Sequence, residues 1–416
     1  MRAGSTWVFL WLATFWAGCG GEPAWEKVPV WVASDADVSA ALGDFGHDEL
    51  GVAAADVPEI PLPGALRPCC AFGKELGVEV GGVPVPRFRI GNITERARLG
   101  THRFNNGAFS VDSSDRRGAL INEANGIVFT CRGGFLDIAH VRDHADLTLH
   151  VASQVARRFE TGMEEKLLPQ GAELRVIVDP LPPELVLEHG RRELAIGLGQ
   201  WLAYQEGIWH EIATWYGYAS LAAWPEKISA FSPEDLYSNA LGIRIAGEVV
   251  REGAAQGEVN YNENMDIWID RTLERLGARD TETGRLAMRA VDGRWWDSSR
   301  RIPNFKLTLR RHSVLDTPVV PWQIDAGGDP ERVERVREAC GGQLEAHPLP
   351  LDAEYADLRF ADFARLEIEV GDALAAAGFP FPREGSRSIT QADFPFVVAA
   401  FRRENEQVLG ADANRP

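Results

Sequence analysis

The chain is predicted to be mainly α with minor β, an α+β fold with a helical core and short strands, on three observations. Apolar residues recur at three- and four-residue steps through Ile138, Val141, Ala145, Leu149, Ala152, Ala156 and Phe159, the spacing of one helix face. Further helical stretches follow at residues 191–218 and 232–252, whereas alternating segments are few, short and bounded by Gly, Asn or Asp. With 416 residues and 45% hydrophobic content, there is ample apolar material for a sizeable core.

The N-terminus reads as an export signal. Met1 and Arg2 give a minimal positive start, residues 7–15 an apolar run too short to span a bilayer, and Ala17-Gly18 a small-residue cleavage site before Cys19. This resembles a bacterial lipoprotein signal, although Trp16 stands where that pattern favours Leu. The resemblance implies that residues 1–18 are removed and that Cys19 becomes the acylated first residue, tying the protein to a membrane. Gly20 occupies the place where Asp would favour inner-membrane retention, which points to the outer membrane, facing the periplasm. An ordinary signal peptide with an incidental cysteine is the rival reading. The formal charge of −18 gives no reason to bind nucleic acid and opposes contact with anionic lipid except at local basic patches. One such patch combines Arg294, Arg300, Arg301, Lys306, Arg310 and Arg311 with Trp295, Trp296 and Phe305. It reads first as a solvated face balancing nearby acids, and second as an anion or headgroup contact.

Residues 19–87 are rich in Pro, Gly, Ala and acids, the composition of a tether followed by irregular or edge-strand structure. The main, mostly helical domain is expected over 88–322 and a C-terminal helical elaboration over 323–416. Short extended pieces are expected at 86–93, 108–114 and 126–134. Beyond Cys19 there are four cysteines: Cys69 and Cys70 are vicinal, and Cys131 and Cys340 isolated. So few cysteines in an exported chain do not describe a disulfide scaffold. A bridge from Cys131 or Cys340 to the vicinal pair is one option, and spacing does not fix the pairing.

The first long helix begins near Asp137, and its alanine-lined later turns call for a close helix neighbour. A second, at 191–218, carries Trp201, Tyr204, Trp209, Trp215 and Tyr216. Ser232-Pro233-Glu234-Asp235 opens the third, with Ser as cap, Pro at the first position and acids in the first turn. Residues 262–276 make a fourth, ended by Gly277. The segment 305–314 alternates like a strand. Helices are expected at 330–339, 360–377 and 390–409.

The stretches CRGGFLDIAHVR (131–142) and WHEIATWYG (209–217) resemble phrases of an uncharacterised family of bacterial lipoproteins. LYSNALG (236–242) and DGRWWDSSRRIPNF (292–305) add to the likeness, which covers residues 100–321. It implies a shared fold and site and supplies no reaction.

The same stretches carry the candidate chemistry. His140 and His144 lie one helical turn apart and converge on one point. His210-Glu211 begins like the zincin motif HExxH, in which two histidines hold zinc and the glutamate activates water, but Thr214 replaces the second histidine. If the two helices pack, His140, His144 and His210 form a ligand set for zinc or another divalent metal, with Glu211 as general base. Asp137, Asp143 and Glu248 are candidate further ligands or carboxylates that orient a histidine. The function this favours is a metal-dependent hydrolase acting on an envelope peptide, amide or ester. Two alternatives stand beside it: a non-catalytic, lipid-anchored binding or scaffold protein, and a hydrolase or transferase with Cys131 as nucleophile and His140 as base.

Overall fold

A computed structural model describes residues 33–43, 57–104, 123–220 and 226–416. The expected signal, Cys19 and the extended piece at 108–114 lie outside the described residues. A short helix, α1 (Asp35–Ala41), is followed by the hairpin β1 (Leu76–Val80) and β2 (Val83–Ile90), then β3 (Ile93–Thr94), β4 (Ile127–Thr130) and β5 (Gly134–Asp137). Strand β5 runs directly into α2 (Ile138–Arg158), whose first turn is capped where the Asp137 carboxylate accepts the Ala139 N–H at 2.8 Å.

Strands β6 (Met163–Lys166) and β7 (Ala172–Val178) lead to helices α3 (Pro183–His189) and α4 (Arg191–Trp215). Three more helices follow: α5 (Asp235–Arg251), α6 (Glu258–Arg275) and α7 (Thr281–Ala290). Helix α5 starts two residues later than its sequence signal, because Ser232 turns back on Asp235 and Phe231 takes a left-handed backbone with φ of 53°. The C-terminal part comprises β8 (Arg301–Ile302), α8 (Pro330–Ala339), β9 (Glu354–Tyr355), β10 (Leu358–Arg359), β11 (Ala364–Val370), α9 (Asp372–Ala376), β12 (Ser388–Thr390) and α10 (Phe394–Leu409).

Helix α2 is the centre of the molecule. Nearly all of it is buried, and it packs against α4 and α5. Small residues permit the close approach that its alanines anticipate. A Cβ at Gly199 of α4 would lie 2.8 Å from the Ala152 Cβ, and one at Gly242 of α5 only 2.0 Å from the Val141 carbonyl oxygen. Any side chain at Gly242 therefore forces α5 away from the helix that carries His140 and His144.

Two expected elements are corrected. Residues 360–377 hold strand β11 and the short α9 rather than one helix. Ala364, Leu366, Ile368 and Val370 point inward at a period of two, and β11 pairs antiparallel with β7 along its whole length in the sheet β12-β11-β7-β6. Residues 305–314 do not form a strand. They begin as a 3-10 turn, and their later N–H groups go to scattered carbonyls rather than to one partner strand, Leu309 and Arg310 both to Trp295, Arg311 to Ala413 and His312 to Phe231.

Cys131 and Cys340 form a disulfide across 209 residues, and Cys69 and Cys70 are free thiols. The pairing that spacing left open is thus given by the fold, and the nucleophile reading is corrected. The isolated pair is bridged to each other, and Cys131 has no thiol to serve as a nucleophile.

Candidate metal centre

Helices α2 and α4 each turn a pair of side chains one turn apart toward the other. They are His140 and His144 on α2, and Glu206 and His210 on α4, all buried. Together with Cys69 and Asp143 they line a cavity of about 20 Å³, walled otherwise by Leu62, Pro63, Leu66, Leu147, Leu167 and Leu168. A volume of that size takes one ion or one water molecule.

The orientation of the three imidazoles follows from what holds them. His140 Nδ1 lies 2.8 Å from Asn239 Oδ1, His210 Nδ1 2.9 Å from Gln170 Oε1, and His144 Nδ1 3.1 Å from the His140 carbonyl. A carbonyl oxygen only accepts, so each Nδ1 carries a proton and each Nε2 is left for another partner. Neither His140 Nε2 nor His144 Nε2 has a hydrogen-bond partner, and His210 Nε2 meets Cys69 Sγ at 3.2 Å. Ligand atoms of Cys69, His140 and His210 lie within 4.8 Å of one another. Histidines that bind metals are oriented in this way, one ring nitrogen donating to a fixed oxygen and the other free. Gln170 links the two sides of α4's pair, because its amide also donates to Glu206.

The electrostatics show a surplus of buried acid. Burial, then Asp235, pushes the Glu211 carboxyl well up, and burial pushes Asp235 to about 6; the two buried carboxyls lie close together and oppose each other's ionisation. Glu234 is pushed up by burial and by Asp235. Burial pushes Glu206 up to about 8 and Asp143 to about 7. The Cys69 thiol is pushed up by burial and then by Glu226, Glu211, Asp235 and Asp137. On His140 burial acts downward, but Asp235, Asp137 and the Asn239 hydrogen bond outweigh it and the net shift is up. His210 is lowered by burial and by His140, and His144 is lowered to about 3, chiefly by burial. Arg311, buried beside these acids, gives its guanidinium hydrogen bonds to the Ala230 and Phe305 carbonyls, which also takes it out of the expected surface patch.

Cys69 reaches this place through Arg67. The Arg67 guanidinium bonds Asp143 at 2.7 Å, Asp146 at 2.9 Å and Glu123 at 2.5 Å, and its backbone N–H donates to Asp143. Those ion pairs clamp an otherwise irregular segment onto α2.

The other expected site residues are placed as follows. Glu211 does not line the cavity; it accepts the Phe231 N–H at 2.7 Å, and its other oxygen lies 3.9 Å from His140 Nδ1. With Asp235 and His140 it forms a second group whose ligand atoms fall within 4.8 Å of one another. Asp137 caps α2 and accepts the Cys70 N–H, and Glu248 pairs with Arg251 outside the cavity lining. Sequence reasoning missed Cys69, Gln170, Glu206 and Asp235 as members of the cluster. The signal for Glu206 was present, since it precedes His210 by four residues on the same helix, the spacing that singled out His140 and His144.

No curated protein and no solved structure matches this chain. A family model described as a protein of unknown function, DUF4056, matches residues 57–325, a span that contains Cys69, His140, His144, Glu206 and His210. The chain belongs to that family.

Proposed function

We propose that the protein is a metal-dependent hydrolase of the cell envelope, with zinc or a similar divalent ion held by Cys69, His140 and His210. The observation that carries this reading is the set of donors facing one ion-sized cavity, with each histidine Nδ1 already engaged by a carbonyl oxygen. A thiolate and two imidazoles suit a borderline ion, and three protein donors with a fourth position open are the pattern of catalytic zinc. Such an ion supplies Lewis acidity and lowers the pKa of water. A thiol nucleophile paired with His210 as base is disfavoured by the same electrostatics. A thiolate–imidazolium pair needs Cys69 lowered and His210 raised, and both move the other way.

Glu206 is the cavity carboxyl placed to move a proton. Its Oε2 lies 3.6 Å from His144 Nε2, and a bound cation would bring its raised pKa back toward neutrality. The role expected of Glu211 therefore passes to Glu206. Glu206→Gln keeps shape and the contact with Gln170. It is expected to retain the ion while hydrolysis falls about 10²- to 10⁴-fold, measured on a substrate found by screening peptides, amides and esters of envelope origin. Undiminished turnover in a folded, metal-loaded Glu206→Gln protein contradicts the assignment.

Attachment through acylated Cys19 would place this activity at the periplasmic face of the outer membrane. Intact mass of the membrane-extracted protein is expected to begin at Cys19 with added acyl chains. A chain cleaved elsewhere, or one without lipid, contradicts the anchor and leaves the metal centre untouched.

A further inference from the structure

Strand β2 forms the edge of the sheet β2-β1-β8 and is exposed along most of its length. At its turn, Val80 and Val83 are 70% and 68% exposed, and a Cβ at Gly81 or Gly82 between them would meet nothing within 4 Å. The hairpin tip thus holds two apolar side chains clear of the other described residues. Farther back, Gly77 lies between Arg89 of β2 and Arg301 of β8 in register across the sheet. Because Gly77 has no side chain, both guanidiniums fold over it. Arg301 Nη1 lies 2.6 Å and Arg89 Nη1 3.2 Å from where a Cβ would stand. Neither arginine makes an ion pair among the described residues, and Arg89 only reaches the Phe88 carbonyl. Two like charges side by side, unpaired in a chain of net charge −18, make a seat for an anion.

The edge itself rejects a strand partner. Val80 pairs with Val83 across a two-residue turn, so alternation directs the nitrogen of Pro84 to the outer edge, where it has no proton to donate, and beyond it the register breaks, with Arg87 in a left-handed backbone. Three residues separate the arginine row from the tip, about 10 Å at strand rise. That spacing seats valines at the acyl boundary when arginines lie among headgroups.

We propose that this hairpin docks the protein on an anionic phospholipid surface, Val80 and Val83 entering the apolar boundary while Arg89 and Arg301 hold headgroup phosphates. The test uses the full chain with Cys19→Ser, so that no acyl chain is attached, sedimented with vesicles of phosphatidylcholine alone or mixed with phosphatidylglycerol. Residues 7–15 are common to every variant, so the difference between vesicle types reads the patch. Binding is expected to be tighter to the anionic vesicles and to weaken with salt. Arg89→Gln and Arg301→Gln should each lower it about fivefold. Val80→Ser with Val83→Ser should weaken binding while leaving its salt dependence. A fluorophore on Val83→Cys, quenched by lipids labelled in their acyl chains, reports insertion in protein whose thermal melt is unchanged. Equal binding to both vesicle types, arginine variants without effect, or no quenching overturns the proposal. Binding abolished by millimolar inorganic phosphate at constant ionic strength assigns the arginine pair to a small anion instead, and also overturns it.

Discussion

Arg67→Met is expected to destabilise the protein by about 3–5 kcal/mol, the cost typical of removing one partner from a buried ion cluster. Methionine matches the stem of arginine but leaves Glu123, Asp143 and Asp146 without the charge they share. The clamp is also sensitive to acid. On Glu123 burial acts upward, but the Arg67 charge and hydrogen bond outweigh it and hold the carboxyl at about 2. Because the folded pKa lies below the ordinary value of 4.5, the stabilisation is complete above that value and is lost as pH falls toward 2. Urea unfolding of both proteins between neutral pH and pH 3 measures the two effects together. Buried carboxyls with raised pKa, Glu206 among them, gain stability as pH falls, so the clamp is read in the difference: Arg67→Met should lie below the wild type at neutral pH, and the gap should narrow as pH falls below 4.5. A variant as stable as the wild type contradicts the clamp.

His210→Ala is expected to abolish metal binding, and Gln170→Leu to weaken it about 10- to 100-fold, as removal of a residue that only orients a ligand does. His210 supplies a donor atom, and its loss leaves Cys69 and His140 too few to hold the ion. Gln170 touches the site only through His210 Nδ1 and Glu206. Competition with a chromophoric chelator gives both affinities, and circular dichroism verifies the fold. Equal affinities for wild type, Gln170→Leu and His210→Ala place the ion elsewhere.

Helix α2 and its histidines were legible because one helix face repeats every three to four residues, so His140 and His144 had to share a side. His210 was legible for the same reason, with its aromatic neighbours marking a buried helix. Cys69 was not. It lies in a proline-rich stretch with no period, and its position depends on ion pairs between Arg67 and residues 76 and 79 positions away. Strand β11 was misread because Ala, Leu and Glu favour helices, and pairing with β7 overrode that preference. Its inward period of two was in the sequence all along. The Cys131–Cys340 bridge joins the end of β4 to the end of α8, a proximity that no local pattern encodes.

The most direct test of the metal centre is elemental analysis of wild-type chain purified without a metal-affinity column, followed by X-ray absorption at the edge of the ion found. One equivalent of a zinc-class ion per chain is expected, with one sulfur and at least two nitrogen neighbours near 2.3 and 2.0 Å, and with the sulfur neighbour lost in Cys69→Ser. Protein that is folded, free of bound metal and unable to take up zinc, iron, cobalt or manganese would contradict it.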